Sequence, residues 1–226
     1  MKAGLSGYTI KIIAAILMVV DHVAFAFVPI NTPLYYALRA FLGRISLPLF
    51  LFLLVEGFKY TRNKKKHLFL LFFVGSITEV LFDLTINKQP LYFEKQNVML
   101  TLSLAFAVLM LCDKINSFSL NINVKYALIA ATTAVASLMA YYAKLEYSWA
   151  IIIATVFAFL FYEDRFVSML GICIILMCYS VVELSALVSI PIIILYNGKE
   201  GRKNKIFFYS FYPLHLLLIY LVTLIV

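Results

Sequence analysis

Charge is scarce in this sequence of 226 residues: Asp, Glu, Lys and Arg make up 13% of it, whereas hydrophobic residues make up 64%. A water-soluble domain of this length has too little interior to hide so much apolar surface. Lipid removes that difficulty, so the sequence predicts an all-α, polytopic membrane protein. Pro and Gly are also sparse, at 6 and 8 residues. No linker-like stretch divides the chain, and residues 1–226 are predicted to form a single integral membrane domain.

Several chemical signatures are missing as well. The three cysteines (Cys112, Cys173 and Cys178) stand in apolar runs without metal-ligand spacing, so we expect buried thiols and no metal site. The sequence has no nucleophile elbow and no glycine-rich phosphate loop. Any catalysis would therefore be direct transfer assisted by a general base. The net charge of +8 lies mostly in short loops, as the positive-inside rule requires, so we predict no nucleic-acid partner.

Eight apolar runs are candidates for crossing a bilayer, and a crossing needs about 20 residues. They cover residues 9–29, 34–58, 68–86, 97–112, 124–142, 147–162, 166–196 and 206–226. The first run contains Asp21 and His22 and is followed by no cleavage site, so it is predicted to be a retained span and not a signal peptide.

The basic loops predict the orientation. The densest one, residues 59–67, should face the cytoplasm, which places the N-terminus there too. The second, residues 197–205, faces the same side only if the run 166–196 crosses twice, with a bend near residues 183–191. The sequence thus predicts about nine transmembrane helices in the inner (cytoplasmic) membrane. A re-entrant hairpin over residues 166–196 would also leave both basic loops on the same side of the membrane.

Ionisable side chains within the spans mark the candidate functional region, because a charge in a bilayer costs about 3 kcal/mol even on lenient scales. The candidates are Asp21, His22, Arg39, Arg44, Glu56, Glu79, Asp83 and His215, with Glu183 at the inferred bend. At 1.5 Å of rise per residue, all the span residues except Glu56 fall in the middle to outer half of the membrane. Glu56 lies close to the cytoplasmic loop.

Two interpretations of these groups remain open. In one, Arg39 or Arg44 pairs with Glu79 or Asp83 and merely staples the second and third spans together. In the other, the imidazole of His22 moves protons, oriented by a carboxylate of the third span, since Asp21 points about 100° away on the helix. A third histidine, His67, lies in the basic loop and is predicted to be a solvated cation.

Four segments carry a resemblance to a known family. They are IKIIAAILMVVDH at residues 10–22, LRAFLGRISLPLFLFLLVEGFKYTRN at 38–63, NVMLTLSL at 97–104 and FYPLHLLLIY at 211–220. Together they resemble the TraX family, which includes the acetylase of conjugative pilin, within a wider group of transmembrane acyltransferases that includes the acyltransferase-3 proteins and heparan N-acetyltransferase. The match is dense over the first 104 residues and over residues 211–226.

The resemblance implies transfer of an acetyl group from acetyl-CoA, with His22 as the base and Asp21 beside it. We expect Arg39 or Arg44 to stabilise the developing oxyanion. The predicted substrate-binding residues are Glu56, Glu79, Asp83, Asn97, Tyr212 and His215. The predicted partners of the CoA phosphates are Arg62, Lys64, Lys65, Lys66, Lys199, Arg202 and Lys203. The positive-inside rule alone also accounts for these basic residues.

The acceptor is not specified by the sequence. The resemblance allows a peptide such as a pilin N-terminus, or a glycan, acetylated on an amine or a hydroxyl. Two other classes compete: a proton-coupled transporter that uses Asp21, His22, Glu79 and Asp83 as a relay, and a non-catalytic subunit of a membrane assembly.

Overall fold

A computed structural model describes residues 4–225 of the chain, and these residues form an all-helical protein without named strands. Nine helices follow one another in the described part. They are α1 (Gly7–Phe27), α2 (Pro33–Tyr60), α3 (Lys64–Asn87), α4 (Val98–Ser117), α5 (Ile122–Tyr142), α6 (Ser148–Leu160), α7 (Arg165–Tyr179), α8 (Val181–Ile194) and α9 (Lys205–Thr223).

Six of these helices are long and apolar enough to cross a membrane, namely α1 to α5 and α9, with mean hydropathy between 1.4 and 2.1. The chain is therefore a multi-pass membrane protein, as its composition predicts. The remaining three helices are shorter: α6 has 13 residues and α7 has 15. Val226, the last residue of the predicted span 206–226, lies outside the described residues.

Successive helices run in alternating directions and leave two ends of the bundle. At the first end, Leu5 N donates to Leu195 O and Gly7 N to Lys199 O, each at 2.8 Å, which fixes the start of α1 against the segment after α8. At the second end, the loop 88–97 pairs with the loop 143–147, because Gln96 N donates to Lys144 O at 2.9 Å. Both predicted basic loops lie at the first end.

The predicted bend in the run 166–196 lies elsewhere than expected. The sequence suggested residues 183–191, whereas the chain turns at Ser180, whose backbone is extended at φ −154° and ψ 131°. The Ser180 hydroxyl accepts from Val182 N at 3.4 Å. A side chain that caps the next helix favours a break, and no Gly or Pro is needed there.

Helix α2 is the centre of the bundle. Inside its apolar window 61% of the residues are buried, whereas the other five long helices range from 22% to 44%. Its side chains Leu49, Phe52 and Phe58 pack with residues of α4, α6 and α7. Lipid is as apolar as these side chains, so close packing and not exclusion from water holds them together.

Of the three cysteines, Cys112 and Cys173 are buried as predicted, whereas Cys178 is exposed.

The part of α2 nearest the second end departs from regular α-helix. Residues Tyr36–Leu42 form a π-helical turn and Gly43–Ile45 a 3₁₀ turn before regular helix resumes. Such irregular turns are frequent at functional sites. Gly43 faces α1 so closely that a β-carbon would collide with the carboxylate of Asp21. The irregular turns carry Arg39 and Arg44 next to that contact.

Candidate functional site

Two histidines from distant parts of the chain meet at the site. Nδ1 of His22 on α1 lies 2.7 Å from Nε2 of His215 on α9, 193 residues later. Their rings are nearly parallel, with an interplanar angle of 8° and centroids 5.0 Å apart. The contact requires α9 to pack against α1, which it does. The predicted carboxylate partner from the third span is wrong, because His215 occupies that position.

The hydrogen bonds of the pair assign a tautomer to each neutral ring. His215 Nδ1 lies 3.0 Å from Phe211 O, and a carbonyl oxygen only accepts, so His215 Nδ1 carries the hydrogen. Nε2 of His215 is then an acceptor, and Nδ1 of His22 donates to it. This leaves Nε2 of His22 with a free lone pair. The helix backbone at Phe211 thus fixes the basic nitrogen of His22 through His215.

Asp21 lies opposite the irregular turn of α2. Its Oδ1 is 3.8 Å from Nε of Arg39, and both side chains are largely buried. Arg39 also donates from Nη1 to Tyr35 Oη at 2.6 Å, and its guanidinium lies 4.2 Å from the ring centre of Phe25. These contacts hold Arg39 beside Asp21 without closing a hydrogen bond between the two.

Arg44 belongs to a second polar group, built from α2, α8 and the loop before α6. Its Nε is 3.5 Å from Glu183 Oε1, and its Nη1 donates to Tyr147 Oη at 2.6 Å. Tyr147 Oη in turn donates to Glu183 Oε1 at 3.1 Å. The interpretation in which the arginines pair with Glu79 or Asp83 is therefore wrong. The break at Ser180 lies three residues before the predicted bend, and Glu183 in the first turn of α8 faces Arg44.

The carboxylates of α3 have other partners. Glu79 Oε2 accepts from the backbone N of Asn97 at 3.0 Å and from its side-chain amide. Asp83 accepts from Asn87 Nδ2 at 2.9 Å and from Tyr92 N at 2.8 Å, which ties the end of α3 to the loop 88–97. Asp83 therefore stabilises the loop 88–97. The four residues of the proposed proton relay form no continuous hydrogen-bonded chain among the described residues.

Tyr212 packs between α3 and the histidine pair. It is 4% exposed and packs with Phe82 and Leu216, and its ring centre lies 5.4 Å from that of His215. Its hydroxyl has no hydrogen-bond partner. The structure thus brings the predicted residues Tyr212 and His215 next to His22.

Several buried polar atoms around the histidine pair lack a hydrogen-bond partner. They are Asp21 Oδ1, Arg39 Nε, Arg44 Nε, Glu79 Oε1, Glu183 Oε2 and Tyr212 Oη. A buried polar group without a partner costs about 1–3 kcal/mol, so such groups are few in native proteins. Their concentration on five helices (α1, α2, α3, α8 and α9) that face one region fits a site that receives a polar substrate.

Glu56 is not part of this region. It lies towards the first end, where its two oxygens accept from Tyr162 Oη and Tyr196 Oη, each at 2.7 Å. Burial and the hydrogen bond to Glu56 raise the pKa of both tyrosines, which keeps the hydroxyls protonated as donors. The structure thus separates Glu56 from the other predicted substrate-binding residues.

The predicted CoA-binding residues all lie at the first end. Lys64 is engaged by Asp113 Oδ2 at 2.7 Å, whereas Lys65 and Lys66 are exposed. The further exposed basic residues are Arg62, Lys199, Arg202 and Lys203. The Lys205 side chain lies outside the described residues. From Gly7 to His22 the rise along α1 is about 22 Å, so a donor held by these loops would have to reach deep into the bundle.

His67 differs from its prediction as a solvated cation. It is half-buried, its Nδ1 lies 2.7 Å from Tyr209 Oη, and its ring centre is 4.7 Å from that of Phe106. The basic loop ends before this residue, which already belongs to the first turn of α3. Helical packing against α4 and α9 explains the difference.

Three residues that the sequence did not single out border the site from the second end. Lys95, Glu146 and Tyr147 line a cavity of about 420 Å³ between the loops 88–97 and 143–147. Tyr147 belongs both to this cavity and to the Arg44 group. No residue pattern marks these three, because they lie in loops, where ionisable side chains are ordinary.

Comparison with known proteins agrees with the resemblance found in the sequence. A family model described as TraX protein matches residues 6–223. The chain is 32% identical to the probable fimbrial assembly protein FimC, serogroup H1, of Dichelobacter nodosus, over 95% of this chain and 94% of that protein. No solved structure matches. With the family match extending over nearly all the helices, from the start of α1 to the end of α9, the chain belongs to the TraX family.

Proposed function

We propose that the protein transfers an acetyl group from acetyl-CoA to an amine or hydroxyl of an acceptor inside the membrane, with His22 as the general base. The observation that carries this proposal is the His22–His215 pair. It leaves one imidazole nitrogen, His22 Nε2, unprotonated and fixed in place. A positioned base of this kind contributes about 10²–10⁴ to the rate of a proton-coupled attack.

The reaction needs only one base. The acceptor's nitrogen or oxygen attacks the thioester carbonyl carbon, and His22 Nε2 takes the proton that this atom loses. The carbon–sulfur bond then breaks, and the thiolate leaves and takes up a proton from the imidazolium. The imidazolium is stabilised because His22 Nδ1 still donates to His215 Nε2. No nucleophilic side chain is required for this reaction, and the sequence contains no nucleophile elbow.

The arginines supply the electrophilic side of this proposal. Arg39 Nε and Arg44 Nε are buried donors without a hydrogen-bond partner, and their ion pairs with Asp21 and Glu183 are long at 3.8 and 3.5 Å. A donor already in place and not yet used is what a developing oxyanion requires. Asp21 and Glu183 keep both guanidinium groups oriented while no substrate is bound.

The distribution of charge supports a cytoplasmic location of the first end, in the inner membrane. Of the lysines and arginines that the structure describes, three lie in loops of the second end, namely Lys88, Lys95 and Lys144. The basic segments 59–66 and 199–203 lie at the first end. By the positive-inside rule this distribution supports an N-terminus in the cytoplasm, where acetyl-CoA is made. The thioester arm would enter from the first end, and the acceptor would meet it from the second.

The relative's name suggests a class of acceptor. That name refers to the assembly of fimbriae, which supports a pilin subunit as the acceptor of this chain. A surface glycan would arrive from the same side.

The decisive experiment measures acetyl transfer by the purified protein in lipid nanodiscs, with labelled acetyl-CoA and a pilin amino-terminal peptide. We expect turnover that His22→Ala abolishes. The proposal is overturned if His22→Ala turns over like the wild type. It is also overturned if proteoliposomes without acetyl-CoA show a substrate-driven pH change and the purified protein transfers no acetyl group, which would favour transport.

A further inference from the structure

The cavity at the second end is built from aromatic rings and two ion pairs. Four tyrosines line it: Tyr92, Tyr141, Tyr147 and Tyr179. Across it, Lys95 Nζ lies 2.9 Å from Glu146 Oε1 and Lys144 Nζ lies 3.6 Å from Glu94 Oε2. The two pairs differ in exposure: the Glu146 side chain is 19% exposed, whereas that of Glu94 is 69% exposed. Glu146 is therefore the inner acidic group of the cavity and Glu94 the outer one.

The loop that carries Glu146 is held in an unusual backbone conformation. Three residues in and next to this loop, Lys144, Tyr147 and Ser148, have φ values of 57°, 56° and 44°. These values lie in the left-handed region, which residues other than glycine rarely adopt. Each such residue costs about 1–3 kcal/mol and persists only where the surroundings enforce it. Here Glu146 N donates to Gln96 O at 3.0 Å, and Thr101 Oγ1 donates to Glu146 O at 2.8 Å. Clustered strain of this kind is typical of binding sites.

The charge of Glu146 also influences the residues of the histidine site. Its charge acts on His22, on Asp21 and on Tyr212, although it lies in a loop and they lie on helices. In the free protein the charge of Glu146 is balanced by Lys95 at 2.9 Å, and the Lys95 side chain is 39% exposed. A cationic group that enters the cavity can therefore take the place of Lys95 without leaving the carboxylate unpaired.

We propose that Glu146 is the anchor for the acceptor, and that the acceptor's ammonium group replaces Lys95 as its ion-pair partner when it enters the cavity. The inference rests on the proposed acetyl transfer and adds to it the route and the charge of the acceptor. Tyr147 lines the cavity and accepts from Arg44 Nη1 at 2.6 Å, so it joins the cavity to the arginines of the site.

Proton balance favours the same assignment. An ammonium acceptor and an acetyl thioester give an amide, a thiol and one free proton, whereas a hydroxyl acceptor gives an ester and a thiol with no proton left over. His22 takes the proton lost on attack and returns it to the thiolate. The first proton of the ammonium therefore needs another acceptor, and Glu146 is a carboxylate in contact with the cavity. From there the proton passes to water at the second end.

Binding can be measured without chemistry, because Trp149 is the single tryptophan of the chain and its ring centre lies 5.8 Å from that of Tyr179. The experiment titrates the full chain in nanodiscs, without acetyl-CoA, and follows Trp149 fluorescence. One probe is a hexapeptide amide with a free amino terminus. The other is the same peptide with a hydroxyl in place of that amino group.

We expect the wild type to bind the amine probe about tenfold more tightly than the hydroxyl probe, as a charge-assisted pair allows. Glu146→Gln should remove this preference, and Lys95→Gln should strengthen it, because the competing partner is gone. Glu94→Gln removes the same charge from the exposed rim and should change the Kd by less than twofold. Opposite effects of the first two variants are not produced by a general loss of structure.

The inference is overturned if neither probe binds the wild type, if Glu146→Gln keeps the preference, or if Glu94→Gln abolishes it equally. Its failure is distinguishable from failure of the proposed function. Acetyl transfer without an amine preference would overturn the anchor alone, whereas the amine preference without any acetyl transfer would overturn only the proposed reaction.

Discussion

The protein contains two buried polar clusters that differ in how completely their hydrogen bonds are satisfied. At the first end, both oxygens of Glu56 accept tyrosine hydroxyls at 2.7 Å. Around His22, by contrast, the ion pairs of Arg39 and Arg44 are 3.8 and 3.5 Å long and several buried polar atoms have no partner. Both clusters contain glutamate, tyrosine and nearby cations, so residue types alone do not separate them.

The difference shows what to look for in a membrane protein with few charges. A closed polar network rigidifies the helices that share it, and an incomplete one costs stability unless a ligand completes it. The Glu56 cluster joins α2 to the loop before α7 and to the segment after α8, an arrangement that favours a structural role. The His22 cluster carries unused donors and acceptors, which is a cost that only function explains.

The largest expected effect separates the clusters directly. His22→Ala should lower the turnover of acetyl transfer by about 10²–10⁴-fold, because the base is lost, while the melting temperature in detergent changes little. His67→Gln replaces a histidine at the first end and should leave turnover near that of the wild type. Equal losses in the two variants would show that histidines matter here for folding only.

Glu56→Ala should show the opposite pattern. Two tyrosine hydroxyls lose their acceptor and a void forms, so the free energy of unfolding should fall by about 2–4 kcal/mol. Turnover per folded molecule should stay within threefold of the wild type. Thermal unfolding followed by size-exclusion fluorescence measures the first quantity and labelled acetyl-CoA the second. A stable Glu56→Gln variant without turnover would instead support the prediction that Glu56 binds substrate.

His215 is expected to act through His22. His215→Ala should lower kcat by about 10–100-fold, because His22 Nδ1 loses the acceptor that fixes its tautomer. His215→Gln presents an amide oxygen near the position of Nε2 and should recover part of the loss. The pH dependence of kcat distinguishes this role from a structural one, since the alanine variant should show a shifted profile and the glutamine variant a profile closer to that of the wild type. Identical profiles in all three proteins would contradict a role in orienting the base.

Gly43→Ala probes the close contact between α1 and α2. The added methyl group collides with the Asp21 carboxylate, so we expect a loss of about 1–3 kcal/mol in stability and about tenfold in turnover. Gly57→Ala on the same helix is the matched control, because a β-carbon there meets nothing within 4 Å. If both variants behave alike, the Gly43 contact has no special role.

The smallest effect concerns the exposed lysines of the first end. Replacing Lys65 and Lys66 by Gln should raise KM for acetyl-CoA about two- to fivefold at low salt and less at high salt, since exposed charges are screened. Lys88→Gln at the second end is the control and should leave KM unchanged. No change in either protein would mean that the basic loop sets orientation only.

The spans could be predicted from the sequence because a membrane helix is a simple compositional signal. The ends of α1, α2 and α3 fall within a few residues of the apolar runs. The grouping of Asp21, His22 and Arg39 could also be anticipated, because depth follows from counting residues. The hydrogen-bond partner of His22 could not be predicted, because it depends on which helices are neighbours. The contact between α1 and α9 leaves no local trace in the sequence.

The loop residues show a different limit. Glu146 and Tyr147 matter because the loop 143–147 folds inward over the bundle, and a loop's path is set by tertiary contacts such as that of Thr101 with Glu146 O. Glu183 was visible as a charge in an apolar run, but its pairing depends on the break at Ser180. In each case the chemistry of the residue was evident and its location was not.

The separation of the histidine pair along the chain bears on how the protein is made. His22 leaves the ribosome early and enters the membrane with α1, whereas its partner belongs to α9 and arrives 193 residues later. Until then the base has no fixed tautomer, and the segment after α8 has not yet closed on the start of α1. A partly synthesised chain is thus inserted before its histidine pair exists. Under the proposed function, unfinished copies would consume little acetyl-CoA, and full activity would begin only when biogenesis is complete.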